Sequence, residues 1–283
     1  MDSAVSIVVP AYNEERRLGE SLPSLLSWLA HHPDVELIVV DDGSSDCTHE
    51  VAWKHLRGVS SASVLRLPWH AGKGAAIKLG ISVARAEAVV FMDADLATDL
   101  VDLPKLVGAL AHADVIIGSR NHGGSVVSGR TLTRSALNKA FTAYAKRMTG
   151  IEASDSQCGF KALRSPVAKL LASQSRLNGL AFDVEILVLA RKLGFRVVEV
   201  PVRWRDVEGG KVSLIRDSTS MLFDVLRVRA DRRAVAPLNP FEVACGRAAF
   251  REHRVDHPLD EALAESLPAN GNGGRPPSGL PLV

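Results

Sequence analysis

Short β-branched apolar runs alternate with amphipathic segments through the first half of the chain. Residues 5–10, 35–41, 63–67, 88–92 and 115–119 read as strands, with helical patterns between them. Such an alternation predicts an α/β fold, a mostly parallel sheet flanked by helices. The run Leu37-Ile38-Val39-Val40 has no polar alternation, as expected of a strand covered on both faces. Right-handed crossovers then bring the carboxyl ends of these strands to one edge, where open α/β sheets bind their ligands.

Polar clusters follow the predicted strands. They occupy residues 10–15, 41–46, 70–74 and 93–95, so that four strand ends converge on one crevice. Asn13, Ser44, Ser45 and Asp46 are also good helix caps, and capping accounts for part of the pattern. Further on, Leu137, Phe141, Tyr144 and Met148 recur at helical spacing within residues 130–148. A short segment at 159–163, helices near 165–173 and 181–193, a strand over 196–204 and an amphipathic helix over 214–232 complete the reading. Beyond residue 234 the chain turns to Pro, Gly and small polar residues. A globular domain over 1–233 and a largely disordered tail over 234–283 are expected.

Composition narrows the function classes only a little. The 46% apolar and 23% charged content is that of an ordinary globular protein, and a formal net charge of +2 does not call for nucleic acid as a partner. Cys47, Cys158 and Cys245 lie far apart, which disfavours a disulfide framework or a structural zinc site and fits a reducing cytosol. The first residues lack the basic flank, apolar stretch and cleavage site of a signal peptide. No apolar run reaches the roughly 18 to 20 residues of a membrane span. Membrane contact would be peripheral, on the cytoplasmic face, or made through an integral-membrane partner.

The chemistry concentrates at the fourth strand end. Asp93-Ala94-Asp95 follows the apolar Val89-Val90-Phe91-Met92 and sets two carboxylates where hard oxygen ligands suit Mg²⁺ or Mn²⁺. An isolated Asp-x-Asp is common as a solvated turn; its place after three other polar strand ends favours the metal. Lys73, between Gly72 and Gly74 at a helix start, offers an ammonium and backbone N–H groups to an anion, without the spacing of a Walker loop. Residues 115–151 contain no acid but include Arg120, Arg130, Arg134, Lys139, Lys146 and Arg147, a strip suited to an anionic lipid head group. For Lys146 and Arg147 a solvated helix face is the simpler reading. The 214–232 helix gathers Met221, Leu222, Val225 and Leu226 on one side and ends near Arg227, Arg229, Arg232 and Arg233. It suits an anionic membrane surface about as well as packing on its own domain.

Taken in order, Val8-Val9-Pro10-Ala11-Tyr12-Asn13-Glu14-Glu15, Val40-Asp41-Asp42-Gly43-Ser44-Ser45-Asp46, Gly72-Lys73-Gly74 and Met92-Asp93-Ala94-Asp95 resemble the signatures of inverting family-2 glycosyltransferases. Downstream, Gly118-Ser119-Arg120, Asp155-Ser156-Gln157-Cys158-Gly159-Phe160-Lys161, Ala181-Phe182-Asp183-Val184-Glu185 and Gly209-Gly210-Lys211-Val212-Ser213 resemble the branch that glucosylates dolichyl or other polyprenyl phosphates, close to the dolichyl-phosphate mannose synthases. The resemblance covers residues 5–233. It implies the GT-A fold, a Rossmann-like nucleotide-diphospho-sugar transferase with a mixed, mostly parallel sheet. Eukaryotic members of the branch begin with a membrane-spanning helix, so a chain opening on its first strand suggests a prokaryotic-type, peripherally bound member.

The same resemblance implies roles. Pro10, Ala11, Tyr12 and Glu14 would form the nucleoside loop, with Tyr12 against the base and Glu14 near the ribose. Asp42 would accept a hydrogen bond from the uracil N–H, Lys73 would meet the diphosphate, and Asp93 and Asp95 would hold the metal. Arg120, Arg134, Asp155, Gln157, Asp183 and Lys211 would line the acceptor side, with Arg120 on the acceptor phosphate and Lys211 on a loop that closes over both substrates. The implied reaction is inverting transfer of glucose from UDP-glucose to a polyprenyl phosphate. A phosphate monoester is already anionic near neutral pH and needs no strong general base. A GDP-mannose donor, or a sugar-hydroxyl acceptor served by Asp155 or Asp183 as base, remain alternatives. From other classes, so do a nucleotidyltransferase and a non-catalytic binding module.

Overall fold

A computed structural model describes residues 5–207 and 216–231, apart from the side chains of 132, 134 and 216–218. The chain runs β1 (Val5–Ala11), α1 (Glu15–Leu29), β2 (Val35–Asp41), α2 (Thr48–Leu56), β3 (Ala62–Arg66), α3 (Lys73–Val83), β4 (Ala88–Phe91), α4 (Leu103–Gly108) and β5 (Val115–Ser119). It continues through β6 (Val126–Ser128), α5 (Leu132–Thr149), β7 (Lys161–Arg164), α6 (Ser165–Gln174), α7 (Phe182–Lys192), β8 (Val197–Pro201), β9 (Arg203–Arg205) and α8 (Arg216–Ala230). Seven strands form one sheet in the order β3-β2-β1-β4-β7-β5-β8.

The first four strands in sequence are parallel, and their apolar residues are buried on both faces from Val5 to Val9 and from Leu37 to Val40. Their carboxyl ends therefore reach the same edge, as the alternation predicts. β7 is antiparallel to β4 and β5, with Phe91 opposite Lys161, so its first residues enter the sheet at that edge. The segment read at 159–163 begins two residues before β7, and one of the extra residues, Gly159, approaches the Asp93 carboxylate described below.

The strand expected over 196–204 divides into β8 and β9, which belong to different sheets. β8 runs parallel to β5 as far as Pro201, which has no N–H to continue the ladder. The Val202 N–H then donates to Ser125 Oγ at 3.2 Å, and β9 pairs with β6, a strand too short to show periodicity. Trp204 of β9 is thereby brought beneath the Arg120 guanidinium. α5 and α8 pack on one another, Tyr144 donating its hydroxyl to the Leu222 carbonyl at 2.9 Å. Lys211, Arg232, Arg233 and the 234–283 tail lie outside the described residues.

Candidate active site

The loops after β1 and β2 are stitched together by one asparagine. Asn13 takes a left-handed backbone, φ 52°, a conformation Asn tolerates better than most residues. Its side-chain oxygen accepts from the Ser45 and Asp46 N–H groups, and its own N–H donates to Ser44 Oγ at 2.9 Å. The Glu14 N–H donates to Thr48 Oγ1 at 2.7 Å, and the Glu14 carboxylate pairs with Arg17 at 3.0 Å. Pro10 and Ala11 close β1 beside Tyr12, whose ring stacks on that of His70 with centroids 3.7 Å apart.

Asp42, expected to accept from a uracil N–H, is held within its own loop. Its oxygens receive the N–H groups of Ala71 and Gly72, and His70 Nδ1 lies 2.8 Å away. The loop 70–72 folds over this carboxylate, its backbone N–H groups meeting the buried oxygens. Gly72 stands at φ 109° with the Asn178 carbonyl so close that a Cβ would lie 2.4 Å from it. That carbonyl accepts from the N–H groups of Gly74 at 2.6 Å and Ala75 at 3.2 Å. The helix start is thus capped by Asn178, and what it offers an anion is the Lys73 ammonium.

Lys73 Nζ lies 2.8 Å from Asp93 Oδ1 and 3.4 Å from Asp183 Oδ2. Burial pushes the Asp93 carboxyl up, but Lys73, with Lys161 and Arg120 farther off, more than offsets this and holds it below the usual carboxylate range. Asp95 is driven the other way, first by burial and then by the Asp93 charge. Asp93 is backed by Gly159: a Cβ there would lie 1.9 Å from Asp93 Oδ2, so only glycine leaves the carboxylate its seat. Nearly half of the Asp93 side chain, 47%, is open to the cleft. A pair of carboxylates, one already gripping a cation and one charged against its preference, suits a hard divalent ion. Among the described residues no group of three or more His, Cys, Asp or Glu side chains could hold a metal. Any further ligands of such an ion would come from a bound substrate or water.

On the other side of the cleft Arg120 is fixed before any ligand arrives. Its Nε and Nη2 each lie 2.7 Å from the Asp155 carboxylate, whose Oδ2 also accepts the Arg120 N–H. Asp155 is fully buried, and its own N–H donates to Glu199 Oε1, as do the N–H and hydroxyl of Ser154. The guanidinium sits 5.5 Å over the Trp204 ring. A cleft of about 620 Å³ opens from Arg120 and Asn121 along one face of α5, past Arg130, Ser135, Lys139, Thr142 and Lys146. Ser154 also lines it, and the buried Thr142 Oγ1 has no hydrogen-bond partner among the described residues. Arg134 is on the same helix, its side chain outside the described set.

Two residues expected on the acceptor side are tied into the surrounding framework. Asp183, in the first turn of α7, divides its oxygens between Lys73 and Lys161. Gln157 Nε2 reaches 3.8 Å to Met221 Sδ and so ties the 155–158 loop to α8. Glu199, Trp204, Asn178 and His70 carry no individual site role in the sequence analysis. They are remote in sequence from the groups they hold, and only His70, inside a polar cluster, carried a local signal.

The chain matches Glycosyl transferase family 2 over residues 6–171. It is 31% identical to the dolichyl-phosphate beta-glucosyltransferase of Dictyostelium discoideum over 240 residues, covering 80% of this chain and 73% of the relative. With the dolichyl-phosphate beta-glucosyltransferase of Homo sapiens it shares 34% over 243 residues, 80% of this chain and 74% of the relative. Among solved structures, glucosyl-3-phosphoglycerate synthase from Mycobacterium tuberculosis with phosphoglyceric acid superposes at a TM-score of 0.61, with 22% identity, over 81% of this chain and 80% of that one. The same synthase with Mn²⁺, UDP and glucosyl-3-phosphoglycerate gives a TM-score of 0.56 at 21% identity, over 80% and 78% of the two chains. A sheet of this order, a carboxylate pair at its active edge and these matches together make the chain a glycosyltransferase of the GT-A fold, a member of glycosyl transferase family 2.

Proposed function

We propose that the protein transfers glucose from UDP-glucose to a polyprenyl phosphate of the dolichyl type, with inversion, releasing UDP. The names of its relatives, dolichyl-phosphate beta-glucosyltransferases from two distant eukaryotes, support the acceptor and the sugar. UDP and Mn²⁺ in a structural neighbour support the donor class and the ion.

One observation carries the choice of a phosphate over a hydroxyl. Deprotonating a sugar hydroxyl calls for a carboxylate with a free oxygen at the cleft. The two candidates are both committed: Asp155 to the Arg120 fork, and Asp183 to two lysines. A phosphate monoester brings its own negative oxygen and needs neither. It would enter through the cleft along α5, whose cationic lining of Arg120, Arg130, Lys139 and Lys146 includes no acid. There its oxygen attacks C1 in line with the departing UDP. Lys73 faces the diphosphate, and Mg²⁺ or Mn²⁺ held by Asp93 and Asp95 would neutralise the leaving charge.

Among the described residues no helix is long and apolar enough to cross a membrane. Leu222, Phe223 and Leu226 are exposed on α8, beside Arg227 and Arg229, a pattern that suits peripheral contact with the anionic cytoplasmic face. The direct test is product formation from UDP-glucose or GDP-mannose with a polyprenyl phosphate, a sugar hydroxyl or phosphoglycerate as acceptor. UDP release dependent on the lipid phosphate is expected. Faster transfer to a hydroxyl would overturn the acceptor, comparable transfer from GDP-mannose would overturn the donor, and pyrophosphate release from a nucleoside triphosphate would point to nucleotidyl transfer.

A further inference from the structure

Lys161, at the start of β7, is completely buried, and no step of the proposed transfer uses it. A buried ammonium is costly unless each N–H finds a partner. Two hydrogen bonds and an aromatic face meet it: Nζ donates to the Cys158 carbonyl at 2.6 Å and to Asp183 Oδ1 at 2.5 Å, and it lies 5.5 Å over the Phe91 ring. Asp183 then reaches Lys73, and Lys73 reaches Asp93. Four charges alternate in sign along this chain, and side-chain exposure rises step by step from 0% at Lys161 through 4% and 19% to 47% at Asp93. The arrangement is anchored in the core at one end and meets the cleft at the other.

Apolar residues of the same volume would fill the Lys161–Asp183 space at lower cost. The contact that the buried pair makes toward the cleft is the one to Lys73. We propose that Lys161 is a positioning residue for the donor site: it fixes the Asp183 carboxylate, which keeps the Lys73 ammonium at the cleft when Asp93 is engaged by a cation. In the structure Asp93 is the nearer of the two carboxylates to Lys73, 2.8 Å against 3.4 Å. A carboxylate that turns to a cation gives up part of its hold on that ammonium, leaving Asp183 as the fixed anchor. Without it, the flexible four-carbon stem of Lys73 has many other places to go. This inference rests on the reading of the cleft as a nucleoside-diphosphate site.

The test is a double-mutant cycle read by UDP affinity in Mn²⁺ and by thermal denaturation, on the full chain. Lys161→Met should weaken UDP binding by about tenfold, the lower end of what outer-shell substitutions cost at ion sites. In a Lys73→Met background the same change should have little further effect, because Lys161 acts through Lys73. Lys161→Met/Asp183→Asn removes both buried charges. It should regain most of the melting temperature lost by Lys161→Met and still bind UDP weakly, which keeps the test usable if the single variant folds poorly. Recovery of both stability and affinity in that double variant, or a full tenfold loss in the Lys73→Met background, would make Lys161 a structural counter-ion and overturn the proposal. A wild type that bound neither UDP nor GDP would overturn the donor reading, and the proposal with it.

Discussion

Between the side of the cleft proposed for the nucleotide and the side that faces α5, the same task, fixing polar groups at a sheet edge, is met by different interactions. On the nucleotide side Asn13 and Asp42 are satisfied mainly by backbone N–H groups from loops a few residues long. On the α5 side the framework is a buried ion pair, Arg120–Asp155, held from below by Glu199. Backbone hydrogen bonds lose about 1 kcal/mol each when one partner changes, because neighbouring bonds persist. A buried ion pair broken on one side loses about 3 to 5 kcal/mol, since an uncompensated charge stays behind. Stability on the α5 side therefore hangs on fewer residues.

The two aspartates at the boundary give the largest expected effects. Asp93→Asn and Asp95→Asn should each lower transfer by roughly 10³-fold, the scale of removing a group that stabilises developing charge. Without metal their stabilities should diverge. Asp93, held below the ordinary carboxylate range, stabilises the fold above about pH 4 and loses this as pH falls through its lower folded value, so Asp93→Asn should melt earlier at pH 7. Asp95 is raised, so its charge costs stability at pH 7, and the cost disappears as pH falls through the raised value. Asp95→Asn should melt later than wild type in EDTA, and the gain should shrink on acidification. A lower melting temperature for both variants would contradict the assigned environments.

Gly159→Ala comes next. The added methyl would meet the Asp93 carboxylate at 1.9 Å, and a displacement of about 1 Å at a reacting centre costs on the order of 10²-fold. The loss should appear in kcat and in Mn²⁺-dependent UDP binding together. Normal UDP binding in this variant would mean that the Asp93 seat is not needed for the donor.

A direct comparison of the two sides is smaller in activity but sharp in stability. Asp155→Asn should lose about 3 kcal/mol or more, Asp42→Asn about 1 to 2 kcal/mol, measured by denaturant unfolding. Arg120→Lys keeps the charge and loses the fork, so it should raise the acceptor KM about tenfold while leaving UDP affinity near wild type. Equal losses of donor and acceptor binding would abolish the division of the cleft drawn here.

The same contrast decides what the sequence discloses. The nucleotide side is legible because each strand is followed at once by its polar cluster, and Asn13, Asp42, Lys73 and Asp93 are all next to the strand or helix that carries them. The parallel strands were readable for the same reason, their apolar runs being continuous. The α5 side is assembled over long separations: Arg120 meets Asp155 across 35 residues and Asp155 meets Glu199 across 44. No local pattern announces such pairs. β6 is too short for periodicity, and the break at Pro201 was hidden by the apolar alternation around it. The motif around Asp183 does not disclose its partners, because Lys73 and Lys161, which it reaches from the first turn of α7, are distant in sequence.

The smallest effects concern the outer surface of α8, where the α5 side of the molecule would meet a membrane. Phe223 is 66% exposed and Leu226 43%, and neither packs into the core that Met221, Val225 and Val228 enter from the opposite face. Arg227 and Arg229 flank them near the helix C-terminus, where cations also oppose the helix dipole. Arg227 is partly neutralised by Asp224 at 2.9 Å, so Arg229 should carry more of any attraction to anionic lipid. Each basic residue near such a surface is worth about 1 kcal/mol, roughly a fivefold change in vesicle partitioning. Arg229→Gln should therefore reduce binding to phosphatidylserine vesicles by about that factor, with a smaller reduction for Arg227→Gln and a salt-insensitive one for Phe223→Ser. UDP affinity should not move in any of the three, because Phe223, Arg227 and Arg229 are exposed residues of α8, on another face from Met221, which Gln157 contacts. Vesicle binding unchanged in all three variants would remove α8 from the membrane contact and leave that contact to the basic residues of α5.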